Sequence, residues 1–177
     1  MKNSLRFLSV ALAVLGFGTA VSAGSFADVP DNSEHFAAVE YLKAKGVING
    51  YPDGSFQPAK SINRAEALKI LLLGTATPIE STKNIIFPDV AASDWFYPYV
   101  RKASEVGIVE GYPDGKFKPQ NTINLAESLK VILLSFQAKL PNDVSADPYP
   151  DVSKDVWYAP YAWYSKEKVI TEPRDDG

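Results

Sequence analysis

The sequence predicts an all-α protein of tandem helix-loop-helix units, and three observations carry the prediction. Residues 26–73 laid over 87–134 without a gap agree at 20 of 48 positions, a fixed-period repeat that means stacked supersecondary units. Apolar residues within each copy recur at helical spacing, while few runs alternate as strands do. Each copy also repeats an Ile-Asn-x-Ala-Glu element, whose Asn and Glu are spaced to start a helix.

Residues 1–23 read as a secretory signal peptide. Lys2 and Arg6 precede the apolar run Phe7 to Phe17, and small residues end at Val21-Ser22-Ala23, which places cleavage after Ala23. The run is shorter than the ~20 residues of a membrane span. Export is therefore expected, with no membrane span after cleavage. Losing two basic residues takes the net charge from -3 to -5.

The first unit covers 24–75. Phe36, Val39, Leu42 and Val47 follow helical spacing, and Gly46 supplies a C-terminal stop. Tyr51-Pro52-Asp53-Gly54 then reads as a type I turn, with proline second and glycine fourth. The second helix starts at Asn63, an N-cap, and Glu66 completes a capping box. Leu68, Leu71 and Leu72 form its buried stripe. A linker over 76–85 leads to the second unit, 86–137. There Trp95, Tyr99, Val100, Ala103 and Val106 precede Gly107, and Tyr112-Pro113-Asp114-Gly115 repeats the turn. Asn124 and Glu127 repeat the capping box, followed by Leu129, Ile132 and Leu133. After a linker over 138–148, a partial third unit fills 149–177. Its Trp157, Pro160, Tyr161, Glu167 and Ile170 lie 62 residues after Trp95, Pro98, Tyr99, Glu105 and Ile108, with Val169 in place of the stop glycine.

Composition excludes several kinds of chemistry. The 177 residues contain no cysteine, so thiol catalysis, disulfides and thiolate zinc sites are out. The single histidine, His35, rules out a multi-histidine metal site. It has no counterpart in the other units and reads as a surface or capping residue. The acidic balance shows no footprint for nucleic acid. No phosphate-binding glycine loop, Gly-x-Ser-x-Gly elbow or EF-hand loop is present, and Asp175-Asp176-Gly177 lacks the further ligands of a calcium loop. No enzyme activity, cofactor or metal is expected. Repetition favours binding, since duplicated weak sites gain avidity.

Arg64 is the residue with the most unusual placement. At the first position of a helix its charge faces the positive end of the macrodipole, an unfavourable choice by a few tenths of a kcal/mol. A functional reason would be an anion held jointly by the guanidinium and the free helix N–H groups. The structural alternative is a pair with an acid such as Asp53. Glu66 and Glu127 are explained by capping alone. The turns are mostly structural, but Tyr51 and Tyr112 offer rings suited to the apolar faces of sugars. Trp157 and Trp163 read as packing residues; Trp95, beside Asp94 at a helix start, is the exception.

As a set, Phe-x-Asp-Val, the aromatic-started helix ending in Gly, Gly-Tyr-Pro-Asp-Gly-x-Phe-x-Pro and Ile-Asn-Arg-Ala-Glu resemble the S-layer homology (SLH) domain. The resemblance covers two full units and half of a third. It implies a pseudo-threefold, three-pronged spindle that anchors exported proteins to the cell wall, S-layer or outer envelope surface. The implied ligand is an acidic secondary cell-wall polysaccharide, often carrying pyruvate ketals, or peptidoglycan in some Gram-negative relatives. Under it the glycan contacts are Arg64, Tyr51, Asp53, Gly54, Tyr112, Asp114 and Trp95. The family's Thr-Arg-Ala-Glu arginine falls on Arg64 and its threonine on Asn63. In the second unit the arginine position is Leu125, which cannot hold a carboxylate, so that groove is expected to be structural or to take a less charged ligand. The third unit has no second helix within the sequence. Either the reading frame is truncated or another chain supplies the missing prong. Two rival roles stand beside anchoring: surface-layer assembly or self-association through the aromatic-rich third unit (Trp157, Tyr158, Tyr161, Trp163, Tyr164), and the anchor region of a longer envelope enzyme.

Overall fold

A computed structural model describes residues 24–84 and 87–171. The signal-peptide reading of 1–23 and the tail after Thr171 lie outside the described residues. Five helices follow in order: α1 (Phe36–Ala44), α2 (Arg64–Gly74), α3 (Tyr97–Glu105), α4 (Leu125–Ser135) and α5 (Ala159–Glu167). The described residues hold no strand, only isolated antiparallel bridges between Asn63 and Thr122 and between Tyr149 and Val152. The class is all-α, as expected.

The second helix of each full unit starts where its capping chemistry dictates. Asn63 Oδ1 accepts from the Glu66 N–H at 2.9 Å, and Glu66 Oε2 accepts from the Asn63 N–H at 2.9 Å. Asn124 and Glu127 repeat both bonds, at 2.9 and 3.1 Å. Each pair satisfies two N–H groups that the helix itself leaves without partners.

The tetrapeptide turn closes as expected, with the Gly54 N–H donating to the Tyr51 carbonyl at 2.9 Å and Gly115 to Tyr112 at 2.9 Å. An aspartate upstream holds the strap that follows. Asp28 accepts from the Phe56 and Gln57 N–H groups at 2.8 and 2.7 Å, and Asp89 does the same for Phe117 and Lys118 at 2.9 and 2.7 Å. The two N–H bonds hold the Asp28 carboxyl below its ordinary range. Gly50, just before the turn, lies so close to the Phe26 ring and the Ser55 carbonyl that a Cβ would overlap both, and its φ is +77°. Only glycine fits that approach.

The core is shared between units. Ile70 and Leu73 of α2 pack with Phe26, Val39 and Val47 of the first unit. Ala65, Leu68 and Leu72 of the same helix pack with Val100, Ala103 and Phe117 of the second. One buried stripe was expected on α2, and the helix presents two, because it stands between two repeats. The step is repeated once: α5 packs on α4 as α3 packs on α2.

Candidate functional site

The start of α2 inserts into the second unit. The Arg64 N–H donates to the Asn121 carbonyl at 2.9 Å and the Ala65 N–H to the Pro119 carbonyl at 3.2 Å. Arg64 Nε donates to the Phe117 carbonyl at 3.1 Å, and Nη1 lies 3.2 Å from Glu127 Oε1. The guanidinium carbon stands 4.7 Å from the centre of the Tyr112 ring and 5.0 Å from that of Phe117. Glu127 Oε1 also accepts from the Tyr112 hydroxyl at 2.5 Å. Burial, and then that bond, pushes the Tyr112 hydroxyl above its usual range.

This geometry gives Arg64 a structural role instead of favouring an anion contact. Nε and Nη1 of the guanidinium are engaged inside the protein, and the first three helix N–H groups donate to Asn121, Pro119 and Asn63. Arg64 does pair with an acid, but the acid is Glu127 of the next unit and not Asp53. Arg64 and Lys118 (Nζ at 4.4 Å) stand over the Tyr112 ring, and the Tyr112 hydroxyl is tied to Glu127. Asp53, Gly54 and Asp114 sit exposed at the turn tips. Asp53 accepts from the Ser55 hydroxyl and N–H at 2.6 and 3.0 Å, which keeps its carboxyl low. Asp114 is held low by Lys118, 2.9 Å away, and by the Lys116 N–H. Both carboxylates serve their own loops.

Tyr51 and Trp95 are brought together. They line an open groove of about 630 Å³ between the first unit and the start of α3, with Asn49, Phe56, Lys60, Glu66, Lys69 and Ile70. Trp95 is 50% exposed, held from one side by an edge contact with Phe96 at 5.3 Å. Lys69 Nζ stands 5.7 Å from the Trp95 ring centre and Lys60 Nζ 4.2 Å from that of Tyr51. Among the described residues neither lysine is in an ion pair. Trp157, expected to pack, is 56% exposed, because it occupies at the next junction the place Trp95 occupies at this one. His35 is exposed and makes no side-chain capping bond.

Sequence reasoning missed the two lysines and the aspartate clamps. The clamps had a signal, since Phe-x-Asp-Val recurs in both units at one distance from the loop. Lys60 had none, because its counterpart is Asn121. No cluster of three or more His, Cys, Asp or Glu among the described residues could hold a metal. No described helix is long and apolar enough to cross a membrane.

Comparison with known proteins matches the repeated units. The S-layer homology domain model matches residues 25–68 and 86–127, one stretch within each full unit. Cell surface glycoprotein 1 of Acetivibrio thermocellus is 30% identical over 147 residues, covering 78% of this chain and 6% of that protein. The cellulosome-anchoring protein of the same organism is 31% identical over 140 residues, covering 77% and 31%. S-layer protein EA1 of Bacillus anthracis is 30% identical over 140 residues, covering 78% and 16%. The chain thus spans less than a third of the length of these curated relatives.

Proposed function

The chain belongs to the S-layer homology domain family through its two matched repeats, and we propose that it anchors an exported protein to the cell envelope by binding an acidic cell-wall glycan. The ligand lies in the groove between the first two units. The observation that carries this reading is the half-exposed indole of Trp95 flanked by Lys69, with Lys60 over Tyr51 across the same groove. An exposed aromatic face suits the apolar face of a sugar ring. Two ammonium groups without carboxylate partners suit a sugar carboxylate such as that of a pyruvate ketal. The lysines thereby take the part first given to Arg64. The reading includes no catalytic step.

The test is co-sedimentation of the chain with purified cell-wall sacculi, half of them stripped of acid-labile secondary polymer. Binding to intact walls and its loss on stripping are expected. Replacing Lys60 and Lys69 together by alanine should weaken binding more than about tenfold, two charge-assisted contacts being lost, while leaving the thermal midpoint unchanged. Full binding by the double variant would sink the lysine assignment. Equal binding to both wall preparations would move the ligand to peptidoglycan. Assembly is the competing reading, favoured by the exposed Phe136, Val169 and Ile170 near the third unit. The same sedimentation without walls reads any self-association.

A further inference from the structure

The two inter-unit junctions share one plan and differ in how their charged groups are paired. Lys69 stands 5.7 Å from the ring centre of Trp95, and Lys130 stands 5.9 Å from that of Trp157. Each indole is backed by the next residue at 5.3 Å, Phe96 in one case and Tyr158 in the other. One aligned position, 49 in the first unit and 110 in the second, breaks the symmetry. At the first junction it is Asn49, on the wall of the same groove as Lys69. At the second it is Glu110, whose carboxylate lies 3.7 Å from Lys130 Nζ.

The surrounding charges follow the same division. At the second junction Lys118 pairs with Asp114 at 2.9 Å, and Glu127 with Arg64 at 3.2 Å. Lys60 of the first junction has the uncharged Asn121 as its counterpart. Arg64, Lys118 and Lys130 around the second junction are thus each in an ion pair. Lys60 and Lys69 instead share the first groove with Glu66, whose carboxylate accepts from the Asn63 N–H, and are in no ion pair among the described residues.

We propose that the residue at position 49 or 110 sets the charge of the sugar each junction accepts. Asn49 leaves the first junction open to a carboxylate-bearing sugar, and Glu110 restricts the second to an uncharged one. A carboxylate arriving over Trp157 meets Glu110 as a like charge and competes with it for Lys130. An uncharged sugar meets no such opposition. Its hydroxyls both donate and accept, so one can donate to Glu110 while its neighbour accepts from Lys130. Charge juxtaposition of this kind discriminates by rejecting the wrong ligand as well as by attracting the right one. The inference rests on the groove reading above and adds to it a division of labour between two similar sites.

The indole N–H signals of Trp95, Trp157 and Trp163 in a nitrogen-15 labelled chain, assigned by single Trp→Phe variants, read the two junctions separately. The probes are N-acetylmuramic acid and N-acetylglucosamine, which differ by a lactyl carboxylate. N-acetylmuramic acid should shift Trp95 and leave Trp157 in place, while N-acetylglucosamine should shift both. Glu110→Asn should let N-acetylmuramic acid move the Trp157 signal. Asn49→Glu should weaken its effect on Trp95 about fivefold, the scale of an exposed charge pair, without altering the response to N-acetylglucosamine. If both sugars move both indoles whatever stands at 49 and 110, charge selection is overturned and the groove reading stands. If neither sugar moves either indole, the groove reading falls and takes this inference with it.

Discussion

At the scale of single residues, a guanidinium with 9% of its side chain exposed faces a carboxylate with 13% exposed at 3.2 Å. Such a pair adds little over well-packed apolar groups, but removing one member strands the other in a poor solvent for charge. Arg64→Ala would leave Glu127 without its cation, Tyr112 and Phe117 without their cover, and the Phe117 carbonyl without a donor. Loss of about 3 kcal/mol is expected, seen as a lower urea midpoint at unchanged slope. An unchanged midpoint would mean that the guanidinium lies in solvent. The sequence marked Arg64 as unusual because its conflict with the helix dipole is local. It did not identify the partner, because Glu127 comes from another repeat and already had a sufficient local role as a cap. The groove lysines were hidden for the opposite reason: solvent-facing lysines are ordinary, and only the half-exposed Trp95 beside Lys69 sets these apart.

Among the elements, all five helices end in one device. A residue with positive φ follows the C-cap, and the next N–H reaches back across the last turn. In the third unit the Ile170 N–H donates to the Ser165 carbonyl at 2.9 Å and the Val169 N–H to that of Lys166 at 3.1 Å. Val169 thus takes φ +53°, where the first two units use Gly46 at +69° and Gly107 at +76°. A β-branched residue in that region is strained by about 1–2 kcal/mol. Val169→Gly should therefore raise stability by about 1 kcal/mol, since added freedom in the unfolded chain takes back part of the gain. A lower melting midpoint would show that the exposed valine side chain is held by contacts that outweigh its strain. The sequence showed the loss of the stop glycine but not that the stop survives. The backbone bonds hold the conformation that glycine merely makes easy.

Across the whole molecule, the repeat of sequence and the unit of packing do not coincide. Leu68 and Leu72 belong by sequence to the first unit, yet they are buried with Phe117 and Val100 of the second. Each contributes about 2 kcal/mol through that burial. Residues 24–75 alone would expose this face of α2 and should show no cooperative unfolding, whereas the full chain should unfold in one main transition. A cooperative melt from the short fragment would mean that the repeats fold independently. The sequence by itself determined the all-α class, the period, the turns and the starts of α2 and α4, because each depends on residues within a few positions of one another. The tertiary structure alone decided that α2 is shared, that Arg64 is an internal tie and which charges pair at each junction. Those outcomes depend on which repeat lies against which, and identical short-range motifs do not encode the partner that packing brings to them.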